Sequence, residues 1–581
     1  MTVEKKATRG DIAAVATPQD GQTCFLAEAR REGLFVFRSG DLSQKVTSDP
    51  RQGVYIARAG GNGTNGAWVR ADTRLTTAMF GAVHDYNPVT QTGTDDYAAI
   101  QAAINFAGDE GGGLILLSGG IALTSRAVRM RDFVTLRGED STSGVHNPAT
   151  PAPTGTNNPG QWGHEHAAFR TGYWVYNWVG TRPFISTQPG TSNPGAFTRE
   201  IDMYAIDGPV SESDTILVLG SEADAAVFQP GQIYYLRSAV ARYREIAGPR
   251  EVEIPLENSL VRCRSVSGRN VRIERPAGFN AAGGYLCRIK PGAMDENGFP
   301  IHFVQGCRIE DLSVSSQLNF HNAVGMYECH IRNIRGNLRI VTGGNGYAWS
   351  SWDGFEGTFT ERVCEVKFCS HNSVIRNIKA ACLDHQDGGS IIAFGEQIRD
   401  VVLENFEIWA PTWDDTTSNL VTILQSRRCI VRNGLIFAPA FSDSNAATAV
   451  AFLAGEIPAE KAIVENVDIT FGGNNCVYFG GPGTTQQPLV SPKECEVREC
   501  RFTSRFATAA YAVSFVGGTG NRVIDCLSPG GIRFSGGTGN LVRGCTLGSS
   551  AVTGTVVTSN RQFDNLLAVA GSNTAVITPT P

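Results

Sequence analysis

Three aspartates stand at matched places in this 581-residue chain. Asn377, Asn405 and Asn433 each open a stretch that aligns without gaps for a dozen residues, and Ala410-Pro411 in one copy matches Ala438-Pro439 in the next. Ten residues past each asparagine come Asp387, Asp415 and Asp443, and eight past come His385, Trp413 and Phe441. Asp384 and Asp414 add acid to the same segments. Grouped carboxyls do general acid and base work: a neutral one protonates a leaving oxygen while an ionised one activates water or attacks directly. Like charges in one column repel, which raises the pKa of one member and keeps it protonated. A neighbouring column of rings stacks on the apolar faces of sugars, and Trp413, Phe441 and His385, with Asp414, are the candidate binding residues. The structural alternative is plain. Asp and Asn are ordinary turn residues, because their side chains bond the local backbone, and exposed carboxylates keep a β-rich surface hydrated.

Such a column exists only if the chain returns to the same place about every thirty residues. Between 306 and 548 one pattern recurs, an aliphatic residue, a variable one and a small polar one: Ile309-Glu310-Asp311, Ile331-Arg332-Asn333, Ile375-Arg376-Asn377, Leu403-Glu404-Asn405, Val431-Arg432-Asn433 and Val464-Glu465-Asn466. Cys500, Cys526 and Cys545 are read as later, degraded copies, giving steps of 22, 44, 28, 28, 33, 34, 26 and 19 residues. A recurring theme of that size predicts a solenoid. Apolar residues at alternate places after the anchors (Phe406 and Ile408, Val467 and Ile469) predict strands, and the three-and-four spacing of helical repeats is absent. The predicted fold is an all-β parallel β-helix with small polar and thiol side chains stacked along its inside. Adjacent strands about 4.8 Å apart would put neighbouring acids about 5 Å and alternate ones about 10 Å from one another, bracketing the separations of retaining and inverting glycosidases.

The 44-residue step equals two coils of 22, so one coil has lost its signature. That stretch carries Trp349, Trp352, Asp353, Glu356 and Glu361. A break in a regular stack is where a site is expected, so Asp353 and Glu356 join the candidate acids and Trp349 and Trp352 the candidate binding rings.

Composition excludes several functions. Fifty Lys and Arg against 56 Asp and Glu give a net charge of -6, which offers nothing to a phosphate backbone. No apolar run reaches membrane-spanning length, and the polar start 1–11 is no secretory leader. Of 14 cysteines, Cys307, Cys329, Cys429, Cys495, Cys500, Cys526 and Cys545 lie on or near the anchors, which predicts reduced, buried thiols. No CxxC pair points to a metal, and no cofactor is implied.

Residues 1–75 read as a small β-rich module. Then come Phe80-Gly81-Ala82, Gly93-Thr94-Asp95-Asp96, Ala98-Ala99-Ile100-Gln101-Ala102-Ala103-Ile104 and Gly111-Gly112-Gly113-Leu114-Ile115-Leu116-Leu117. Asp95 or Asp96 caps a helix whose apolar face closes the open end of the stack. This stretch resembles the opening of the pectate-lyase superfamily of right-handed β-helix proteins, in particular phage tailspike depolymerases. The match is close over 80–120, and the repeats extend it to about 548; Ser118-Gly119-Gly120 replaces the family's usual Pro-Gly turn. Short strands between about 200 and 290 read as an inserted β lobe, the aromatic-rich 161–200 as core packing or a sugar-stacking face, and 549–581 as a final coil or trimerising cap.

The resemblance implies a right-handed parallel β-helix over 76–548, a homotrimer, attachment to a phage tail through 1–75, and binding and cleavage of a bacterial capsular or exopolysaccharide at the virion tail. Glycoside hydrolysis is the expected reaction. A polysaccharide lyase, a fructan-cyclising fructosyltransferase of the same fold and a non-catalytic adhesin are the alternatives; the family's calcium site, several acids with an Arg as base, is not matched here, and Asp387, Asp415 and Asp443 are at most its remnant.

Overall fold

The computed structural model describes residues 3–147, 167–170, 185–186, 201–239, 241–245, 250–255, 257–293, 302–316, 319–367, 369–382, 390–395, 397–413, 419–440, 448–455, 457–473, 475–480, 490–504, 511–548, 552–553, 560–563, 565–569 and 572–576. They fall into two compact units, one of 1–171, 304–322 and 329–337, the other of 172–303, 323–328 and 338–581.

In the first unit, Glu4–Lys6, Thr23–Leu26, Gly33–Arg38, Ala67–Arg70 and Tyr55–Ala57 form a five-stranded sheet in that order. Phe35 and Phe37 alternate inward along one strand and bury with Ile12, Cys24, Leu26, Ile56 and Trp68. The predicted helix is Tyr97–Asp109, and its buried Ile100, Ala103, Ile104 and Ala107 repeat at three and four. Asp96 is its N-cap residue, yet the Asp96 carboxylate accepts the N–H groups of Val83 (2.6 Å) and His84 (2.7 Å) instead. Asp95 accepts the Tyr97 N–H at 3.1 Å, so the Asp-Asp pair divides the work between loop and helix start. The helix packs on Gly113–Leu117, where parallel coils begin: Leu75, Ile115, Leu136, Ile309 and Ile331 stand in one register column.

The second unit is built in the same way, from parallel strands in register. Trp352, Ile375, Leu403, Val431, Val464, Val497, Val523 and Val542 pair rung to rung in parallel register, all of them buried. A neighbouring inward column runs Phe355, Ile378, Phe406, Gly434 and Val467. Gly434 is needed there, because a Cβ would come within 2.1 Å of the Phe406 ring. Phe452, Phe479, Phe515 and Phe534 stack face to face, with centroids 5.0, 4.8 and 5.2 Å apart. The fold is a parallel β-helix, and the coil without its signature is present: Trp352-Asp353 occupies the rung of Ile375-Arg376.

Two expectations about the anchors are corrected. The asparagines do not line the inside. Asn333, Asn377, Asn405, Asn433 and Asn466 are exposed and sit at φ between 50° and 60°, a left-handed bend that Asn tolerates better than other non-glycine residues. The bend places two successive residues outward, so Ile375 and Ile378 point in while Arg376 and Asn377 point out. An outer amide ladder follows, with Asn466 donating to Asn433 at 2.9 Å and Asn377 to Asp353 at 2.6 Å. Nor do the cysteines replace the asparagines. Glu465 pairs with Arg498 and Asp468 with Arg501, so Glu499 takes the corner of Asn466 and Cys500 the inward place of Val467, with Cys526 and Cys545 beneath it. All 14 cysteines are free and buried, among them the seven on or near the anchors.

A buried polar ladder does exist, elsewhere. The Asn521 N–H donates to Asn540 Oδ1 at 3.0 Å, the Asn540 N–H to Asn560 Oδ1 at 2.9 Å, and the Cys495 N–H to Asn521 Oδ1 at 3.0 Å.

The inserted lobe is a six-stranded antiparallel sheet that includes Ile233–Ser238, Asn258–Ser267 and Gly284–Ile289. Phe228, Tyr234, Leu236, Phe279 and Leu286 pack its core. It is keyed to the helix shaft by Arg399, which donates to Asn258 O and Ser259 Oγ, both at 2.6 Å. His371 Nε2 accepts the Leu260 N–H at 3.1 Å, and burial holds the ring's pKa well below the usual histidine range.

Candidate functional site

The acid-bearing segments are bounded at both ends by matched rungs. The strands His371–Cys382, Ile398–Trp409 and Ile430–Ala438 enter in register through Ala381, Trp409 and Phe437. The chain returns in register at Ile392, Val421 and Val450. Asp387, Asp415 and Asp443 each follow the entering rung residue by six positions. Asp384, His385, Asp387, Asp414, Asp415, Phe441 and Asp443 themselves lie outside the described residues, as does the aromatic-rich 161–200 apart from the strand segments Ala167–Arg170 and Ile185–Ser186.

Strand parity decides what the entering rungs present outward. Phe406, Ile408 and Ala410 are buried, so Glu407 and Trp409 face out. One outer column reads Glu356, Lys379, Glu407, Leu435, Asp468 and Arg501, largely alternating in charge. The next reads Thr358, Ala381, Trp409, Phe437 and Thr470. In it the Trp409 indole lies on the Phe437 ring with centroids 4.0 Å apart and planes 12° from parallel, while Trp409 stays 47% exposed. The partly exposed, stacked aromatic pair on the rungs that feed the acid-bearing segments is a flat apolar surface of the kind on which another ring can stack.

The remaining candidates take other places. Trp352 and Trp413 are corrected: both are core side chains, about 1% and 0% exposed, and neither offers a face to a ligand. Trp413 packs against Phe359 at 6.0 Å because the turn after Trp409 brings it back inward. Trp349 is half-buried, with the Arg275 guanidinium 4.0 Å over its ring and His371 edge-on at 6.2 Å. Asp353 is engaged by Arg376 at 2.8 Å and by the amide of Asn377, which makes it a rung of the outer ladder. Glu361 is buried in ion pairs with Arg339 and Arg362. Glu356 is exposed, across from Lys379.

Trp409 was missed because its matched place, four residues past the anchor, holds Ala381 in the first copy and so shows no column of rings in the sequence. Counting by two from Phe406 would have placed it on the outer face. Among the described residues no group of three or more His, Cys, Asp or Glu side chains is placed to hold a metal ion, and no helix is long and apolar enough to cross a membrane.

No family model matches the chain. Among solved structures it is similar to the tailspike gp61 of Pseudomonas phage phi297, at 13% identity and a TM-score of 0.45 over 85% of this chain and 81% of that one. It is similar also to the tailspike gp49 of Pseudomonas phage LKA1, at 13% identity and a TM-score of 0.37 over 83% and 84%. A third is the A-module of the Azotobacter vinelandii mannuronan C-5 epimerase AlgE4, at 10% identity and a TM-score of 0.34 over 85% and 95%.

Proposed function

We propose that this chain is a tailspike-type depolymerase that binds a bacterial surface polysaccharide and cleaves it by glycoside hydrolysis. The observation that carries the reading is the matched set of rungs: three successive coils enter and leave their acid-bearing segments in register, with an aspartate six residues past each entering rung. A parallel stack repeats at about 4.8 Å, and the reading takes the three aspartates to follow that spacing closely enough for two of them to act on one glycosidic bond. In this reading one carboxyl of Asp387, Asp415 and Asp443 stays neutral beside its like-charged neighbours and protonates the leaving oxygen. Another, ionised, activates water or attacks the anomeric carbon. In the same reading Asp384 is a further candidate acid, and Asp414, His385 and Phe441, which flank the aspartates in sequence, are the candidate glycan contacts. Residues 1–75 attach the protein to a phage tail, 549–581 cap the shaft, and the working form is a trimer at the virion tail.

The test is mass spectrometry of products from a panel of purified capsular polysaccharides and exopolysaccharides. Hydrolysis adds one water per cleaved bond. Unsaturated products would identify a lyase, cyclic disaccharides a fructosyl transfer, and retention of glycan without any cleavage an adhesin.

A further inference from the structure

Deepening that reading, and resting on it, we infer that the free face of Trp409, above Ala381, is a stacking subsite for a single pyranose ring of the bound polysaccharide. Phe437 covers one face of the indole at 4.0 Å and holds it within 12° of its own plane, so the indole is fixed across the shaft before any ligand arrives. The opposite face looks onto the rung of Ala381, whose side chain is one methyl group, and the rung after that carries Thr358. Two rung spacings are about 9.6 Å. A ring stacked about 4 Å from the indole therefore fits between Trp409 and Thr358, whereas a bulkier side chain at 381 would fill the space. The notch is open, because Trp409 is 47% exposed and Ala381 is itself an outward position in its strand. Among the described residues the cation–π contacts lie elsewhere, Arg275 over Trp349 among them.

The polar groups beside the notch set the ligand's chemistry. Lys379 and Glu407 stand two residues before Ala381 and Trp409 on the same outward face, and they pair in register. One donates and the other accepts, so together they suit the hydroxyl rim of a sugar whose C–H face lies on the indole. A ring already held in place binds without losing side-chain freedom, which is where a preformed platform gains affinity.

The probe is a panel of purified bacterial capsular polysaccharides cast into native gels, with binding read as retardation of the full chain. For a glycan that retards the parent, Trp409→Ala should weaken binding by about tenfold or more, the scale of one lost ring-stacking contact. Trp409→Phe should keep most of it, and Ala381→Trp should lose as much as Trp409→Ala by filling the notch. Thermal unfolding should be unchanged in all three. If Trp409→Ala and Ala381→Trp both bind as the parent does, the subsite is wrong and the depolymerase reading stands. If no glycan of the panel retards the parent, both fall.

Discussion

Arg399, on the shaft strand Ile398–Trp409, donates to the carbonyl oxygen of Asn258, on the lobe strand Asn258–Ser267, at 2.6 Å. The same guanidinium reaches Ser259 Oγ at 2.6 Å and Ala277 O at 3.2 Å, and Arg399 is only 4% exposed. One side chain therefore satisfies three buried acceptors of the lobe. Arg399→Met should leave them bare and cost about 3 kcal/mol or more. Calorimetry should show a lower unfolding midpoint, and limited proteolysis should cut within the lobe before the shaft; a variant as stable and as resistant as the parent would refute the key.

His84 gives the first unit a predictable response to acid. It is buried, its Nε2 stands 2.8 Å from Thr77 Oγ1, and burial, helped by the nearby Arg30 charge, pushes its pKa down to about 4 from an ordinary 6.5. The unfolded chain takes up a proton below 6.5, while the folded one refuses it until about 4. The stability held in this neutral ring is complete above pH 6.5, drains away between 6.5 and 4, and is gone below, a span of about 3 kcal/mol. His84→Asn accepts the residue's φ of 56° without a titrating group. Its stability should change less over that interval, as urea melts at a series of pH values will show.

The two asparagine ladders should respond differently to leucine. Asn405 is exposed, so Asn405→Leu loses little hydrogen bonding and costs only its left-handed backbone, about 1–2 kcal/mol, most of which Asn405→Gly should recover. Asn521 is buried, accepts the Cys495 N–H and donates to Pro492 O at 3.1 Å. Asn521→Leu strands both groups at about 1–3 kcal/mol each. Equal losses in denaturant titrations would contradict this assignment of inside and outside.

If the acids at matched offsets carry the chemistry, Asp387→Asn and Asp415→Asn should each abolish release of oligosaccharides while leaving the unfolding midpoint where it was. Full turnover in both variants would move the reaction away from these segments.

Periodicity exposed the rungs because every second residue of a strand meets the core, and the missing coil was countable from its length alone. Sidedness was not legible from period two, which says that faces alternate and not which parity is inner. The corner at Asn377 puts two outward residues in succession and shifts the phase, so the small polar anchors were set inside when they are outside. The same blindness sent Trp413 outward and overlooked Trp409, four residues earlier: a count by two puts both on one face, and the turn after Trp409 reverses it. The inner ladder did leave a signal, Gly518-Thr519-Gly520-Asn521 repeated as Gly537-Thr538-Gly539-Asn540. Its members Asn521, Asn540 and Asn560 sit 19 and 20 residues apart, where the coils are shortest and a loop has no room to hide the repeat.

The pile of Phe452, Phe479, Phe515 and Phe534 keeps ring spacings within 4.8–5.2 Å although the intervening chain lengths are 27, 36 and 19 residues. Length variation is thus absorbed entirely at the periphery, and the axis tolerates only whole-number change. A lineage can splice in or discard a full turn and keep the phenyl pile unbroken, whereas a fractional insertion would throw every ring above it out of line. Growth of such a molecule is quantised, and its outer segments are free to diversify while its bore does not.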